Sequence, residues 1–528
     1  MARLIARLIA LALLFAPLSA SAFELPMPWR RGTLRLALTQ SNLFEYHSDF
    51  DFIDDATPKR FFDIKNRTDI LLMHASTTLH VRFDGNWYIN AANDGIFGQR
   101  QTLEKISLST VQRNFELAAG DFYQRIGRGM ALELTKIGEF TRDISIRGGR
   151  LAIRIADVQA LGFVGFINPL EVDSVTEYVR DIPEDVVGGG EIKARLSRYA
   201  TFSAHYVGLK QNNRLDIDEK ISHVLGGSLL LPRLGGRLTI YAEGNYLSQT
   251  EGETATRGSA TYASATLALG AVSLLAEFLF LNDFQLRNDY GPDPNNADFG
   301  GDHNVYIYTR PPTLTRSEQD ILDTKDKIGG RIRGDLRLGK TWIWVSYLYG
   351  RRSESGGPVL EDSLPIHDVF GGISFQITKG WKLFVEGGYR FDKLSNGNVD
   401  YSQSFAAFKL GGTLFREHTL EFQGRIRDMQ KLDNDWWDMF LTVSYRPSKY
   451  FSGGLTYEYT KEHADRIDDP AANPRRHFGG VTLTANFTGT SYLRFYGGST
   501  RGGLRCVDGF CRVFPPFIGA KGELVLQF

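Results

Sequence analysis

From Ile328 to Leu338 the chain reads IGGRIRGDLRL, and its alternate positions fall into two sets. Ile328, Gly330, Ile332, Gly334, Leu336 and Leu338 form one set; Gly329, Arg331, Arg333, Asp335 and Arg337 form the other. Successive side chains of a β-strand point to opposite faces, so this stretch predicts a strand with one apolar and one charged face. The same period recurs from Trp381 to Phe391, where Trp381, Leu383, Val385, Tyr389 and Phe391 alternate with Lys382, Glu386 and Arg390. It recurs where Leu420, Phe422, Gly424 and Ile426 alternate with Glu421, Gln423, Arg425 and Arg427. Leu71, Met73, Ala75, Thr77, Leu79, Val81 and Phe83 likewise alternate with His74, Ser76, Thr78, His80 and Arg82. Strands of soluble sandwiches average about 5–6 residues, whereas a tilted transmembrane strand needs about 9–11. Stretches this long point to a membrane.

The connections carry a second period. Short turns are expected at Asp84-Gly85-Asn86, Arg113-Asn114, Ser197-Arg198, Gly339-Lys340, Lys379-Gly380 and Gly489-Thr490. They alternate with longer polar stretches at 47–60, 169–186, 287–325, 353–364 and 464–473. Short periplasmic turns opposite long external loops are the layout of an outer-membrane barrel. Counting each alternating stretch as a strand predicts a single all-β transmembrane antiparallel barrel of about 24 strands, between roughly 22 and 26. The first is expected near 32–44 and the last near 513–528, with the alternation blurred at 341–349, where Trp and Tyr fall on both faces. Leu524, Leu526 and Phe528 alternate with Glu523, Val525 and Gln527. An end on Phe528 resembles the terminal strand of bacterial outer-membrane proteins, whose last aromatic residue is a signal to the barrel-assembly machinery.

The other end sets the compartment. Arg3 and Arg7, the apolar run from Leu8 to Leu18 and the small residues Ala20-Ser21-Ala22 have the layout of a cleavable signal peptide. Residues 1–22 are therefore expected to be removed and 23–528 to form the barrel. Strand-like alternation starts close behind, which leaves no room for the plug of a TonB-dependent receptor or the periplasmic domains of an assembly factor. No later apolar run is long enough for a membrane helix. The chain of 528 residues holds 55 Gly, 36 Phe and 22 Tyr, with a mean hydropathy of −0.23, as expected where a polar lumen offsets a lipid-facing surface. Its 61 basic and 61 acidic residues balance, which argues against nucleic acid or a polybasic membrane surface as partner.

Few motifs suggest chemistry. Cys506 and Cys511 have neither a redox spacing nor a nearby His, and in an oxidising envelope a local disulfide is the expected state. The glycines of 120–130 are not followed by a helix whose N-terminus could hold a phosphate. They are expected to mark a bulge or a close backbone approach, with Arg125 and Arg128 where the chain leaves the membrane. The stretch 289–302, DYGPDPNNADFGGD, is rich in oxygen ligands but lacks the closing Glu of an EF-hand, so a solvated loop is expected. The ten His are scattered and no nucleophile–base pair emerges. No catalytic residue, metal ligand or cofactor is expected, and the chain is read as a non-enzyme.

The inward-facing charges are more informative. Arg82, Arg331, Arg333, Asp335, Arg337, Glu386, Arg390, Glu421, Arg425, Arg427 and Arg494 are candidate pore-lining residues. Lys193, Arg195, Lys382, Lys409 and Lys521, with Glu191, Glu243, Glu277, Glu458 and Glu523, extend the same face. Unpaired buried charge is very costly, so these residues imply a wet lumen, a polar filling, or a ladder of salt bridges. Two functions fit. One is a porin-like channel for small polar or weakly anionic solutes, given that the basic set outnumbers the acidic. The other is a scaffold whose lumen encloses or docks a secretion component, a lipoprotein or a redox protein.

Several segments resemble a family of Gram-negative outer-membrane β-barrel proteins of unknown function. They are Gly85-Asn86-Trp87-Tyr88-Ile89-Asn90, Ala119-Gly120-Asp121-Phe122-Tyr123 with Gly127 and Gly129, Pro311-Pro312-Thr313-Leu314-Thr315-Arg316, and the end from Gly503 with Cys506, Gly509 and Cys511. The resemblance implies the barrel and its cysteine-bearing last loop, and carries no catalytic residue across. The partners expected of such a barrel are outer-membrane lipid, the barrel-assembly machinery during biogenesis and a periplasmic or lipoprotein partner, with no nucleic acid.

Overall fold

Inside a bilayer every backbone N–H and C=O must be paired within the protein, so a spanning sheet has to close on itself. The computed structural model shows that closure. It describes residues 23–26, 33–48, 60–89, 100–137, 142–171, 185–211, 219–289, 305–309, 312, 314, 326–352, 364–392, 401–415, 417–431, 434–461, 476–501, 503–507, 510–514 and 517–528. The barrel has 24 antiparallel strands and no helix among the described residues. Strands β1 to β8 are Thr33–His47, Phe61–His74, Thr77–Ile89, Arg100–Val111, Phe115–Phe122, Arg142–Ile155, Val158–Glu171 and Val186–Ser197. Strands β9 to β16 are Ala200–Gln211, Lys220–Leu234, Leu238–Glu251, Thr254–Leu269, Val272–Asn282, Lys327–Leu338, Thr341–Arg352 and Leu364–Thr378. Strands β17 to β24 are Trp381–Asp392, Tyr401–Phe415, His418–Lys431, Asn434–Ser448, Phe451–Thr460, His477–Asn486, Tyr492–Thr500 and Phe517–Gln527.

Each strand pairs with its neighbours in sequence, and β24 pairs with β1 from Thr39↔Gln527 to His47↔Gly519. The terminal residue completes the seam: Phe528 N–H donates to the Leu38 carbonyl at 2.8 Å and Leu38 N–H returns to the Phe528 carbonyl at 3.1 Å. Connections alternate between two ends. One end has short turns such as 156–157, 198–199, 339–340 and 379–380; the other has 48–60, 123–141, 172–185, 283–326 and 461–476, with 252–253 and 432–433 as brief exceptions.

The outward positions meet lipid. Ile332 is 64 % exposed, Leu225 63 % and Val164 61 %, and on each flank of Ile332 an arginine, Arg331 or Arg333, turns inward to a carboxylate. One expected strand is corrected. The stretch 71–83 is a hairpin, with its turn at Ala75-Ser76, where Ala75 adopts φ 51°. Cross-strand partners share a face, and Leu71 pairs with His80 and Met73 with Thr78, so Leu71 and Met73 point inward with His80. The expected turn at Asp84-Gly85-Asn86 lies within β3. Gly85 serves there as the floor beneath Trp87, whose ring a Cβ would meet at 2.7 Å.

Ile332→Arg sets a charge against hydrocarbon, which costs about 2–4 kcal/mol near the midplane. Arg337→Gln, on the inner face, is expected to leave the folded yield unchanged. Urea unfolding in vesicles, read by heat-modifiable gel mobility, compares the two. Equal losses would mean that the faces of β14 are assigned the wrong way round.

Candidate functional site

The lumen has a dry side and a wet side. Near the long-connection ends of β6 to β16 the inward residues are apolar: Ile146, Ile167, Val187, Leu209, Val224, Leu247, Leu281, Leu348 and Ile366 are all buried. They pack in one cluster with Ile126, Met130, Ala131, Leu132 and Leu134, and with Phe284, Leu286, Tyr308 and Leu314. Burial of such a side chain is worth about 1.5–3 kcal/mol, and two connections turn into the barrel to provide it. One runs between β5 and β6, the other between β13 and β14. The filling at this mouth is therefore apolar, not the polar one that the inward charges imply.

The first connection corrects the reading of 120–130. Strand β5 ends at Phe122, and 124–126 pairs with 132–134 as a small hairpin inside the barrel. Gly120 is the expected close approach: at φ +93° its Cβ would lie 2.0 Å from the Ile106 carbonyl oxygen. Gly127 and Gly129, at φ 63° and 88°, turn the hairpin tip. Arg128 is at that tip, and Arg125 pairs with Glu133 at 3.6 Å across the hairpin.

The tip is latched to β11 and β12. Glu243, 2 % exposed, accepts the Arg128 backbone N–H at 2.9 Å, the Asn245 amide at 3.1 Å and the Tyr241 hydroxyl. The Arg128 guanidinium lies 4.0 Å over the Tyr241 ring and donates to Tyr262 Oη at 3.3 Å. Tyr262 donates to Glu277 at 2.7 Å, and Arg331 Nε donates to the same carboxylate at 2.7 Å. Arg331 also reaches the Leu314 carbonyl at 3.3 Å, tying the second inward segment to the wall. The two segments join each other where Glu133 N–H donates to the Tyr308 carbonyl at 2.8 Å, and the Tyr308 hydroxyl donates to Asp185 at 2.6 Å.

The hairpin root is held by charge. Arg82 and Asp143, each 3 % exposed, pair at 2.6 Å, and Asp143 also receives Tyr123 Oη at 2.6 Å. Arg82 Nε donates to Asp84 at 2.8 Å, which in turn pairs with Arg67 at 3.1 Å. Burial, with the Asp143 carboxylate beside it, pushes the Tyr123 phenol up, so it remains a donor. Arg82 is thus sealed into a structural network.

Exposed inward ion pairs lie on β18, β19, β23 and β24. Lys409 and Glu421 pair at 2.8 Å while 50 % and 40 % exposed; Arg494 and Glu523 pair at 3.3 Å while 49 % and 29 % exposed. Arg427 pairs with Asp438 at 2.8 Å and Arg501 with the same carboxylate at 3.1 Å. Arg333 pairs with Asp335 at 2.9 Å. Arg337, Glu386 and Arg425 share the inner face with these residues, whereas Arg390 is buried there. Glu45, Asp84, Asp143 and Asp438 serve as partners of inward bases, and none was in the acidic set read from sequence. Arg67, Lys105 and Arg501 are bases that the sequence-read set likewise lacked.

The latch and the inward hairpin were missed by sequence reading. The available signal was a loss of alternation: Tyr206-Val207-Gly208-Leu209 and Leu279-Phe280-Leu281 are apolar on both faces. The last loop contains a hairpin in which Cys506 and Cys511 are register partners; their side chains lie outside the described residues, as does the stretch 290–302. Among the described residues no group of His, Cys, Asp and Glu is arranged to hold a metal.

No family model matches the chain and no curated protein matches it. Among solved structures, the chain is similar to a chain of an E. coli P pilus tip assembly intermediate, PapC-PapD-PapK-PapG, at 11 % identity and TM-score 0.51, over 95 % of this chain and 62 % of that one. It also aligns with the siderophore receptor PirA of Pseudomonas aeruginosa at 12 % identity and TM-score 0.49, over 94 % of this chain and 81 % of that one. A third alignment is with Pseudomonas aeruginosa OccK3 (OpdO), at 14 % identity and TM-score 0.40, over 81 % and 96 %. At these identities the likeness is one of fold: a large membrane β-barrel.

Proposed function

We propose that this chain, exported on a signal peptide at 1–22, is an outer-membrane porin-like channel for small polar solutes. Solutes pass along the wet side of the lumen, beside a constriction made by the latched hairpin. The observation that carries this reading is the contrast in exposure among inward ion pairs. Lys409 and Arg494 are half exposed on one side, while Arg82 and Asp143 are sealed on the other. Charges of both signs line the wet side, so the expected preference for anions is slight and fades with salt as screening shortens to about 8 Å or less. A scaffold enclosing a partner protein would need the width that the inward segments occupy.

Single-channel recording of the purified barrel is expected to show a steady, small conductance. Replacing Lys409 and Arg494 by Glu should turn the reversal potential toward cations at low salt. A folded barrel that never conducts would overturn the channel reading and favour the scaffold.

The latch has its own test. Hydrogen bonds to charged groups are worth about 1.5–3 kcal/mol, so Arg128→Ala with Glu243→Ala should free the hairpin tip. Larger or flickering conductance is the expected result, with faster amide exchange confined to 124–134. Unchanged conductance in a folded double variant would show that the hairpin does not narrow the path.

A Cys506–Cys511 disulfide is inferred from their register pairing. Both thiols should resist alkylation until the protein is reduced, and labelling without reductant would disprove the bond.

A further inference from the structure

One side-chain cluster recurs three times on the outer wall, at the end with the long connections. On β9 and β10, Tyr206 Oη lies 2.7 Å from His223 Nδ1. On β15 and β16, Tyr347 Oη lies 3.0 Å from His367 Nδ1. On β21 and β22, Tyr457 Oη lies 2.8 Å from His477 Nδ1. The ring centroids are 6.0, 6.3 and 6.1 Å apart in the three pairs. Each cluster occupies one strand pair, and four strands lie between one cluster and the next along the chain.

A cation completes each cluster. Four residues beyond the tyrosine, on the same outward face, stand Lys210, Arg351 and Lys461, all exposed. Lys210 is the register partner of Ile221, two residues from His223, and Arg351 that of Pro365, two residues from His367. Two strand residues span about 6.6 Å, so cation and imidazole can reach one anionic group together. Lys210 pairs with Glu219 at 2.9 Å with both about half exposed, a contact that water screens. Arg351 Nε donates to the Tyr349 hydroxyl at 3.2 Å. With the phenol O–H as donor to Nδ1, or with the ring protonated beside an anion, the imidazole carries a proton on Nε2 and donates it to an anionic oxygen. The bond to tyrosine also holds the ring in place.

These groups lie on the lipid-facing side of a transmembrane wall, beside the tyrosines that mark the interface of such barrels. A cation and an N–H donor at that level match the phosphate of a lipid headgroup. We propose that the three Tyr–His–cation clusters bind phosphorylated lipid headgroups in the leaflet at the long-connection end. A fourth pair, His418 Nδ1 with Tyr445 Oη at 2.6 Å, lies at the opposite end of β19 and β20 and outside this set.

Native mass spectrometry of the full-length folded barrel tests the assignment, with diphosphoryl lipid A, phosphatidylcholine and inorganic phosphate as separate probes. Three retained lipid A molecules per barrel are expected, with weaker retention of phosphatidylcholine and no displacement by inorganic phosphate. Lys210→Gln with His223→Ala should lose one lipid, and the matching changes at Arg351 and His367 or at Lys461 and His477 one each. Heat-modifiable mobility confirms folding of every variant; if the combined variant does not fold, the three separate ones carry the test. Lipid counts that stay at the wild-type value in the folded variants would overturn the proposal. So would displacement by inorganic phosphate, which would indicate free-ion sites instead of lipid sites.

Discussion

Closure of the sheet is the constraint on which everything else rests. An open edge within hydrocarbon would leave a row of unpaired amides and carbonyls, each costing several kcal/mol. The exchange of hydrogen bonds between Leu38 and Phe528 ends the seam with β24, and beyond it Phe23–Pro26 pairs with β1 from Leu36 to Thr33 at the short-turn end. Once the barrel is closed, every strand residue has only two environments, and the period of two assigns them. Arg331 and Ile332, adjacent in sequence, then meet Glu277 and lipid respectively.

That period was legible wherever the two faces differ in polarity. It was clear at 328–338, 381–391 and 420–427, where inward positions carry charge. It was illegible where both faces are apolar, because Val207, Leu209 and Leu281 point inward to a dry filling while their neighbours point outward to lipid. Hydrophobicity cannot distinguish lipid from a protein core. Turn chemistry misled at one place for a related reason. Ala75-Ser76 holds a tight turn without Gly, Asn or Pro, whereas Asp84-Gly85-Asn86, which looks like a turn, needs its glycine to seat Trp87 within a strand.

The inward charges were legible as a set, but their partners were not. Arg331 and Glu277, Arg427 and Asp438, and Arg494 and Glu523 are each cross-strand register partners. Their pairing depends on a register that no single strand contains. A tally of signs along individual strands therefore misses both the acids Asp84, Asp143 and Asp438 and the bases Arg67, Lys105 and Arg501 that pair with them or beside them. Pairing across strands explains how one wall carries so many ionisable groups.

The same reasoning accounts for the way the lumen is filled. A barrel of this strand number is wide: about 16–18 strands already leave an aqueous channel, and about 22 enclose a plug. Filling it with polar side chains would require a partner for every donor and acceptor, as around Arg82 and Asp143. Apolar filling needs only shape, and Ile126, Met130, Leu132 and Leu134 supply it from a hairpin between neighbouring strands. Apolar packing is non-directional, however, and does not by itself determine where a hairpin tip comes to rest. Glu243 supplies that direction, because a buried carboxylate with three donors accepts the Arg128 backbone in one place and leaves no room for a side chain at Gly127. Apolar burial thus closes one side of the barrel, the latch fixes how far the closure extends, and the exposed pairs Lys409–Glu421 and Arg494–Glu523 lie outside it.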